Sequence, residues 1–103
     1  MNRLIIIASL LLLVASNGWA YSETDLLKLK QLNQCIGCDL SGANLTEANL
    51  RSAELSYADL TDANLSGANL TTTILKNAKL AGAKFCKTQM AWGEVNDDCE
   101  NAD

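Results

Sequence analysis

The chain has 103 residues and a formal net charge of −4, and it contains no His and no Pro. This length allows one small domain. Without His, the Ser–His and Cys–His catalytic pairs and every His-ligated metal site are excluded. The acidic balance also disfavours nucleic acid phosphates and anionic lipid headgroups as partners.

The first twenty residues have the pattern of a secretory signal. Arg3 precedes an apolar run from Leu4 to Val14, and small residues, Gly18 and Ala20, stand at the two cleavage-determining positions. The run is shorter than the roughly 20 residues that span a bilayer. The sequence therefore predicts an exported protein, periplasmic or secreted, with no stable membrane insertion after cleavage. An uncleaved anchor is the alternative.

Residues 22–33 are predicted to form a short helix. Ser22 precedes two acidic residues of the first turn, which is the pattern of an N-cap. Three leucines follow at helical spacing: Leu26, Leu29 and Leu32. We expect this leucine face to cover the first coil of the domain that follows, and an unstructured N-terminus is the alternative.

A five-residue repeat follows without interruption in eleven units. Each unit carries one large apolar residue at a constant position: Leu40, Leu45, Leu50, Leu55, Leu60, Leu65, Leu70, Leu75, Leu80, Phe85 and Met90. Two positions before each of these stands a small residue, Ala in most units. Period five suits no ordinary element, because successive leucines would lie about 140° apart on a helix and on opposite faces of a strand. The chain must therefore turn a corner once per repeat and form a solenoid with its leucines on the axis.

The solenoid interpretation explains the small residue as well. Leucine side chains fill the axis of a narrow tube and leave room for little more than a methyl group beside them. Coils stacked roughly 4.8 Å apart then bury a continuous core that no single coil could bury alone.

The tandem A-[DN]-L-x-x pattern resembles the pentapeptide-repeat proteins over residues 38–90. The resemblance implies an all-β fold, a right-handed quadrilateral β-helix with four repeats per coil, and therefore a little under three coils. Later units depart from the pattern, so the last coil is expected to be less regular. The predicted domains are a signal peptide at 1–20, a cap helix with a Cys-x-x-Cys lead-in at 21–37, the β-helix at 38–90 and a tail cap at 91–103.

Four cysteines in a short exported chain indicate disulfides. We expect Cys35–Cys38 to fasten the cap to the first coil, and Cys86–Cys99 to close a tail loop that contributes on the order of 3 kcal/mol. Two alternatives stay open. A redox Cys-x-x-Cys normally stands at the start of a helix, and a four-thiolate zinc site would need a more closely spaced second pair.

No constellation in the sequence points to an enzyme, and we expect no cofactor and no metal. Asp59 and Asp62 occupy outward positions without a pocket to raise a pKa. The repeat asparagines are expected to hydrogen-bond the backbone or neighbouring coils. Tyr57 and Trp92 are single aromatics at exposed positions, and we favour packing against a neighbour over stacking on a ligand.

The charges are segregated along the chain. Residues 71–90 hold four Lys and no acid, whereas residues 91–103 hold five acids. Because residues twenty apart should stack, Asp59 should lie beneath Lys79. End-to-end self-association, with acidic tail against basic band, is one hypothesis that follows.

The sequence thus predicts a non-enzymatic exported scaffold or protein-binding module, and it does not identify the protein partner. The alternative function is a cysteine-based redox protein or a zinc-binding protein with four thiolate ligands.

Overall fold

The computed structural model describes residues 21–97 and Cys99. The predicted signal segment, residues 1–20, lies outside the described residues. Within that described part no helix has the length and apolar character needed to span a membrane. Its regular elements are helix α1 (Glu23–Leu32), strand β1 (Phe85–Met90) and strand β2 (Gly93–Asp97).

Helix α1 begins where the sequence predicts. Ser22 is the N-cap, and its Oγ accepts a hydrogen bond from the Asp25 amide at 3.2 Å. The helix ends at Asn33, which has a left-handed φ of 56° and donates its N–H to the Leu29 carbonyl. Both ends therefore satisfy backbone groups that a helix otherwise leaves open.

The leucine face of α1 is only partly as predicted. Leu26 and Leu29 are buried, but Leu32 is 62 % exposed, so the prediction that Leu32 joins this face is wrong. Leu32 is the last helical residue, and the chain turns away from the helix at left-handed Asn33 before the leucine side chain reaches the core.

Helix α1 also covers the backbone edge of the first coil. The Ser22 amide donates to the Asp39 carbonyl at 2.9 Å, and the Asp39 amide donates to Oδ2 of Asp25 at 2.9 Å. An exposed edge of this kind is a liability in a solenoid. The N-terminal end of the stack is therefore closed by both polar and apolar contacts.

The repeats stack with a constant offset of twenty residues. The isolated bridges of the described residues are all parallel: Gln34–Glu54, Asp39–Asp59, Asn44–Asn64, Asn49–Asn69, Glu54–Ile74, Asp59–Lys79, Asn64–Lys84 and Asn69–Gln89. The predicted stacking of Asp59 with Lys79 is confirmed. The chain thus returns to the same side after four five-residue units, and each flat side is too short for a regular strand.

Each corner between two flat sides is a tight turn. The Ala43 amide donates to the Leu40 carbonyl at 3.0 Å, and the same bond recurs at later corners. The second corner residue has a positive φ, which is the sign of a type II turn. Besides glycines, the residues with φ between 56° and 63° at this position are Glu47, Ser52, Tyr57, Asp62, Thr72, Asn77 and Lys87. Each such residue costs about 1–2 kcal/mol in isolation.

The axis of the stack is apolar and is best packed at its N-terminal half. The leucines from Leu40 to Leu70 are buried, as are most alanines beside them. Farther along, the ladder residues are half-buried: Leu75, Leu80, Phe85 and Met90. The packing therefore loosens toward the C-terminal end.

In two repeats a threonine stands at the small inward position, and its hydroxyl donates a hydrogen bond to a backbone carbonyl of an earlier coil. Oγ1 of Thr73 donates to the Leu50 carbonyl at 2.6 Å, and Oγ1 of Thr88 donates to the Leu65 carbonyl at 2.7 Å. Thr88 is 0 % exposed. A buried hydroxyl is tolerated because it is paired, so these departures from the repeat add a bond between coils.

The last coil runs into a hairpin. Strand β2 pairs antiparallel with β1, with Thr88 opposite Val95 and Gln89 opposite Glu94. The register shifts between Phe85 and Thr88. The chain therefore doubles back after Met90 instead of beginning another coil.

The hydroxyl of Thr88 can be tested by isosteric replacement. We expect Thr88→Val to lower the free energy of unfolding by about 0.5–1.5 kcal/mol, because the bond to the Leu65 carbonyl is lost. That carbonyl keeps its bond from the Ala68 amide, so no group is stranded. Thr88→Ser, which keeps the hydroxyl, is the control in urea unfolding. Equal stability of Thr88→Val and the parent protein would contradict this role.

The gradient in axial packing predicts unequal costs for the same truncation. Leu60→Ala removes a fully buried side chain and should cost about 2–5 kcal/mol. Leu80→Ala removes a half-buried one and should cost clearly less. Urea unfolding at low protein concentration measures both. A larger cost for Leu80→Ala would show that the C-terminal end is the better packed.

Candidate binding surfaces

From Asp39 to Asn69, the outward residue of each flat side caps the corner that follows it. Oδ1 of Asn44 accepts from the Thr46 amide at 3.1 Å, which is an Asx turn. The same bond recurs from Arg51 to Asn49, from Ser66 to Asn64 and from Thr71 to Asn69. The prediction that these asparagines bond the backbone is confirmed. The side-chain oxygens of these asparagines therefore help to hold the corners.

Asp59 performs the same capping task with a charge. Oδ1 of Asp59 accepts from the Thr61 amide at 3.0 Å. Hydrogen bonding from Thr61 is the main cause that lowers the pKa of Asp59, and the charge of Lys79 lowers it further. A general acid at neutral pH needs the opposite shift, so Asp59 is suited to capping and not to proton transfer.

At some corners an acidic side chain packs against a glycine of the next coil. Gly82 has a φ of +75°, and a Cβ there would collide with Oδ1 of Asp62, which stacks on it from the coil before. The carboxylate of Asp62 therefore lies along the coil surface, in space that only glycine leaves open.

The cysteines form two disulfides in separate places. Cys35–Cys38 lies in the first coil, and both residues are buried. Cys86–Cys99 joins the corner before Thr88 to the chain beyond β2. Within the part of the chain that the structure describes, no group of His, Cys, Asp or Glu side chains could hold a metal ion. The two pairs act on opposite ends of the stack.

A polar recess of about 430 Å³ lies beside the Cys86–Cys99 disulfide. It is lined by Cys99 and by one column of corners: Thr46, Glu47, Ser66, Gly67, Cys86 and Lys87. Oγ of Ser66 is buried there without a hydrogen-bond partner among the described residues. Charges of both signs, on Glu47 and Lys87, border this recess.

A second cavity, of about 350 Å³, lies at the C-terminal end of the axis. It is lined by half-buried ladder residues and by the hairpin: Leu80, Phe85, Met90, Trp92, Val95 and Asp97. Trp92 is 77 % exposed at its rim. Trp92 lies between the two strands of the hairpin, at an exposed position as predicted.

Three exposed apolar side chains flank the flat side that opens the first coil. Leu32, Ile36 and Tyr57 are 62, 59 and 58 % exposed, and we call them the apolar corner. Tyr57 is a corner residue, and it is exposed as predicted. Sequence periodicity missed this surface, although Ile36 stands where other units have a polar corner residue.

Comparison with known proteins gives a family match. The family model described as pentapeptide repeats matches in eight copies, over residues 34–67 and 53–90. These ranges together cover more than half of the chain. No curated protein is significantly similar to the chain.

Solved structures with similarity to the chain cover only parts of it. A pentapeptide repeat protein from the cyanobacterium Cyanothece 51142 is 44 % identical over 48 % of this chain and 34 % of its own, with a TM-score of 0.48. A pentapeptide repeat protein of the Arabidopsis thaliana thylakoid lumen is 32 % identical over 64 % of this chain and 50 % of its own, with a TM-score of 0.33. The chain thus spans a third to a half of the length of these structures.

The family model and the geometry agree on the same residues. The matched ranges contain the bridges twenty residues apart, the corners and the leucine ladder. The chain therefore belongs to the pentapeptide repeat family.

Proposed function

We propose that the protein is a non-enzymatic, exported repeat scaffold that binds another protein through its apolar corner. Its eleven repeats wind into a right-handed quadrilateral β-helix of a little under three coils. The family relationship supports the β-helix, and the twenty-residue spacing of the bridges supports four repeats per coil.

The observation that supports the binding role is the exposure of Leu32, Ile36 and Tyr57 at the surface of the protein. The corners that carry Ile36 and Tyr57 are held by the ladder, since the Gly37 amide donates to the Ser56 carbonyl at 2.9 Å and the Tyr57 amide to the Lys76 carbonyl at 2.8 Å. A surface held in this way loses little conformational entropy on binding. Exposed aromatic and aliphatic side chains are typical anchors of protein interfaces.

Export is supported by two features of the chain. Residues 1–20 have the pattern of a secretory signal, and both cysteine pairs are joined in disulfides that persist in oxidising compartments. We place the mature protein in the periplasm or outside the cell.

The binding role is tested by removing the aromatic ring of the apolar corner without disturbing its turn. Asn77 occupies the same corner one coil later, with a φ of 59° against 63° for Tyr57, so Tyr57→Asn keeps a residue that suits this backbone. We expect crosslinking from the exported fraction to capture a protein with the parent chain and to lose it with Tyr57→Asn. Thr72→Asn, at a corner with a φ of 60° elsewhere on the coil, is the matched control.

Capture that survives Tyr57→Asn, or that is lost equally with Thr72→Asn, would contradict binding at the apolar corner. A circular dichroism spectrum of each variant separates loss of binding from loss of fold.

The alternative function is tested by counting thiols and metal. We expect protein purified from the exported fraction to show no free thiol under denaturing, non-reducing conditions and no bound zinc. Four free thiols with one zinc per chain would favour the four-thiolate site. One reducible pair that cycles with a dithiol donor would favour the redox function instead.

A further inference from the structure

The polar recess of about 430 Å³ crosses three coils at one column of corners. Its lining takes Glu47 from the first coil, Ser66 and Gly67 from the second, and Lys87 from the third. The ladder fixes these corners. The Glu47 amide donates to the Ser66 carbonyl at 2.8 Å, and the Gly67 amide donates to the Cys86 carbonyl at 2.8 Å. A ligand that enters the recess therefore does not have to order its backbone.

The hydroxyl of Ser66 differs from those of the other serines at the same corner position. Oγ of Ser41 donates to Oδ1 of Asp39 at 2.7 Å, and Oγ of Ser56 donates to Oε1 of Glu54 at 2.6 Å. At Ser66 only the backbone amide bonds the outward side chain, and Oγ is buried without a partner among the described residues. An unpaired buried hydroxyl is unfavourable. Because Ser66 is half-buried and lines the recess, a turn about its χ1 brings the hydroxyl to a ligand there.

Gly67 lets the side chain of Glu47 cross from the first coil to the second. Gly67 has a φ of +73°, and a Cβ at this position would lie 2.9 Å from Cγ of Glu47. Only glycine leaves this space open. The Glu47 side chain therefore runs along the stack, toward the corner that carries Ser66.

The recess has one acid and one base among its lining residues, in different coils. Glu47 and Lys87 are two coils apart, so their backbones are separated by roughly 10 Å. The other lining residues carry no charge. Opposite charges at two ends favour a zwitterion over an ion of either sign, because each charge of the ligand then meets its opposite. The separation suits a linear molecule with its charges at opposite ends.

We propose that this recess binds a short peptide, with its ammonium on Glu47, its carboxylate on Lys87 and its amide on Ser66. An extended dipeptide is roughly 7 Å long, and the two long side chains cover the rest of the gap. Its amide lies between the charges, where the Ser66 hydroxyl can donate to the amide oxygen or accept from the amide N–H. Gly67 is two flat sides away from Tyr57, so the site is independent of the function proposed above.

The first test compares diglycine with matched molecules, on the chain purified from the exported fraction. The NMR resonance of the Gly67 amide reports binding. We expect the Kd of diglycine to be about fivefold lower than that of diglycine acetylated at its amine or amidated at its carboxylate, because each cap removes one ion pair. δ-Aminovalerate keeps the length and both charges but replaces the amide with methylenes. We expect its Kd to be about fivefold higher than that of diglycine, because the hydrogen bond is lost.

Three results of this titration would overturn the proposal. If no molecule shifts the Gly67 resonance, the recess binds no peptide. Equal Kd values for diglycine and its two capped forms would show that Glu47 and Lys87 do not hold the ligand. Equal Kd values for diglycine and δ-aminovalerate would show that any zwitterion of this length binds, with no recognition of the amide.

The second test removes the hydroxyl of Ser66. Ala81 occupies the same corner position in the last coil, so Ser66→Ala keeps a residue type that this corner accepts. We expect Ser66→Ala to raise the Kd of diglycine to that of δ-aminovalerate and to leave the Kd of δ-aminovalerate unchanged. A Kd of δ-aminovalerate that rises by the same factor would show that Ser66 shapes the corner and does not bond the amide.

The third test removes charge at a corner. Glu47→Gln should raise the Kd of diglycine about fivefold. Asp62→Asn is the matched control, since Asp62 is a corner acid with a φ of 60° against 58° for Glu47, and it does not line the recess. We expect Asp62→Asn to leave the Kd unchanged. Equal effects of the two substitutions would show that net charge alone governs binding and would refute the contact with Glu47.

Discussion

The hydrogen bonds between successive coils are the interaction on which the rest of the structure depends. Each coil bonds its neighbours on both sides: the Asp59 amide donates back to the Cys38 carbonyl, and the Leu60 amide donates forward to the Lys79 carbonyl, both at 2.8 Å. These bonds form only if every coil has the same length. A corner every five residues, a positive φ at its second position and an inward leucine all follow from that requirement.

The outward positions accept more residue types than the inward ones, as long as the corners can still form. Asn44 and Asp59 cap their corners with the same hydrogen bond, although only Asp59 carries a charge. Lys79 stands at the same position, and the corner bond after it, from the Ala83 amide to the Leu80 carbonyl, forms without a side-chain cap. The surface charge can therefore change along the stack while the backbone stays the same. This separation allows one backbone framework to carry different surfaces.

The period of the sequence was enough to predict the ladder, the stacking of Asp59 with Lys79, and helix α1 with its Ser22 cap. Each of these depends on residues close in sequence or on a strict repeat. The left-handed corners were not predicted, because residues as different as Tyr57 and Lys87 occupy them. The exposure of Leu32 and the reversal into β2 were missed for another reason. They depend on what lies next to them in space at the two ends, where the repeat no longer dictates the neighbour.

The disulfides of the molecule are confined to its two ends, so the number of coils between them can change. Cys35 and Cys38 are 3 residues apart and Cys86 and Cys99 are 13 apart, so neither disulfide reaches across the intervening coils. Loss of one five-residue unit after Asp59 would move Lys79 from above Asp59 to above Glu54, a quarter turn round the prism, and would reshuffle every downstream neighbour. Loss or duplication of twenty residues would keep each remaining neighbour relation. Chains that differ by whole coils can therefore keep the same two end structures. Evolution can lengthen or shorten the stack of coils without changing either end.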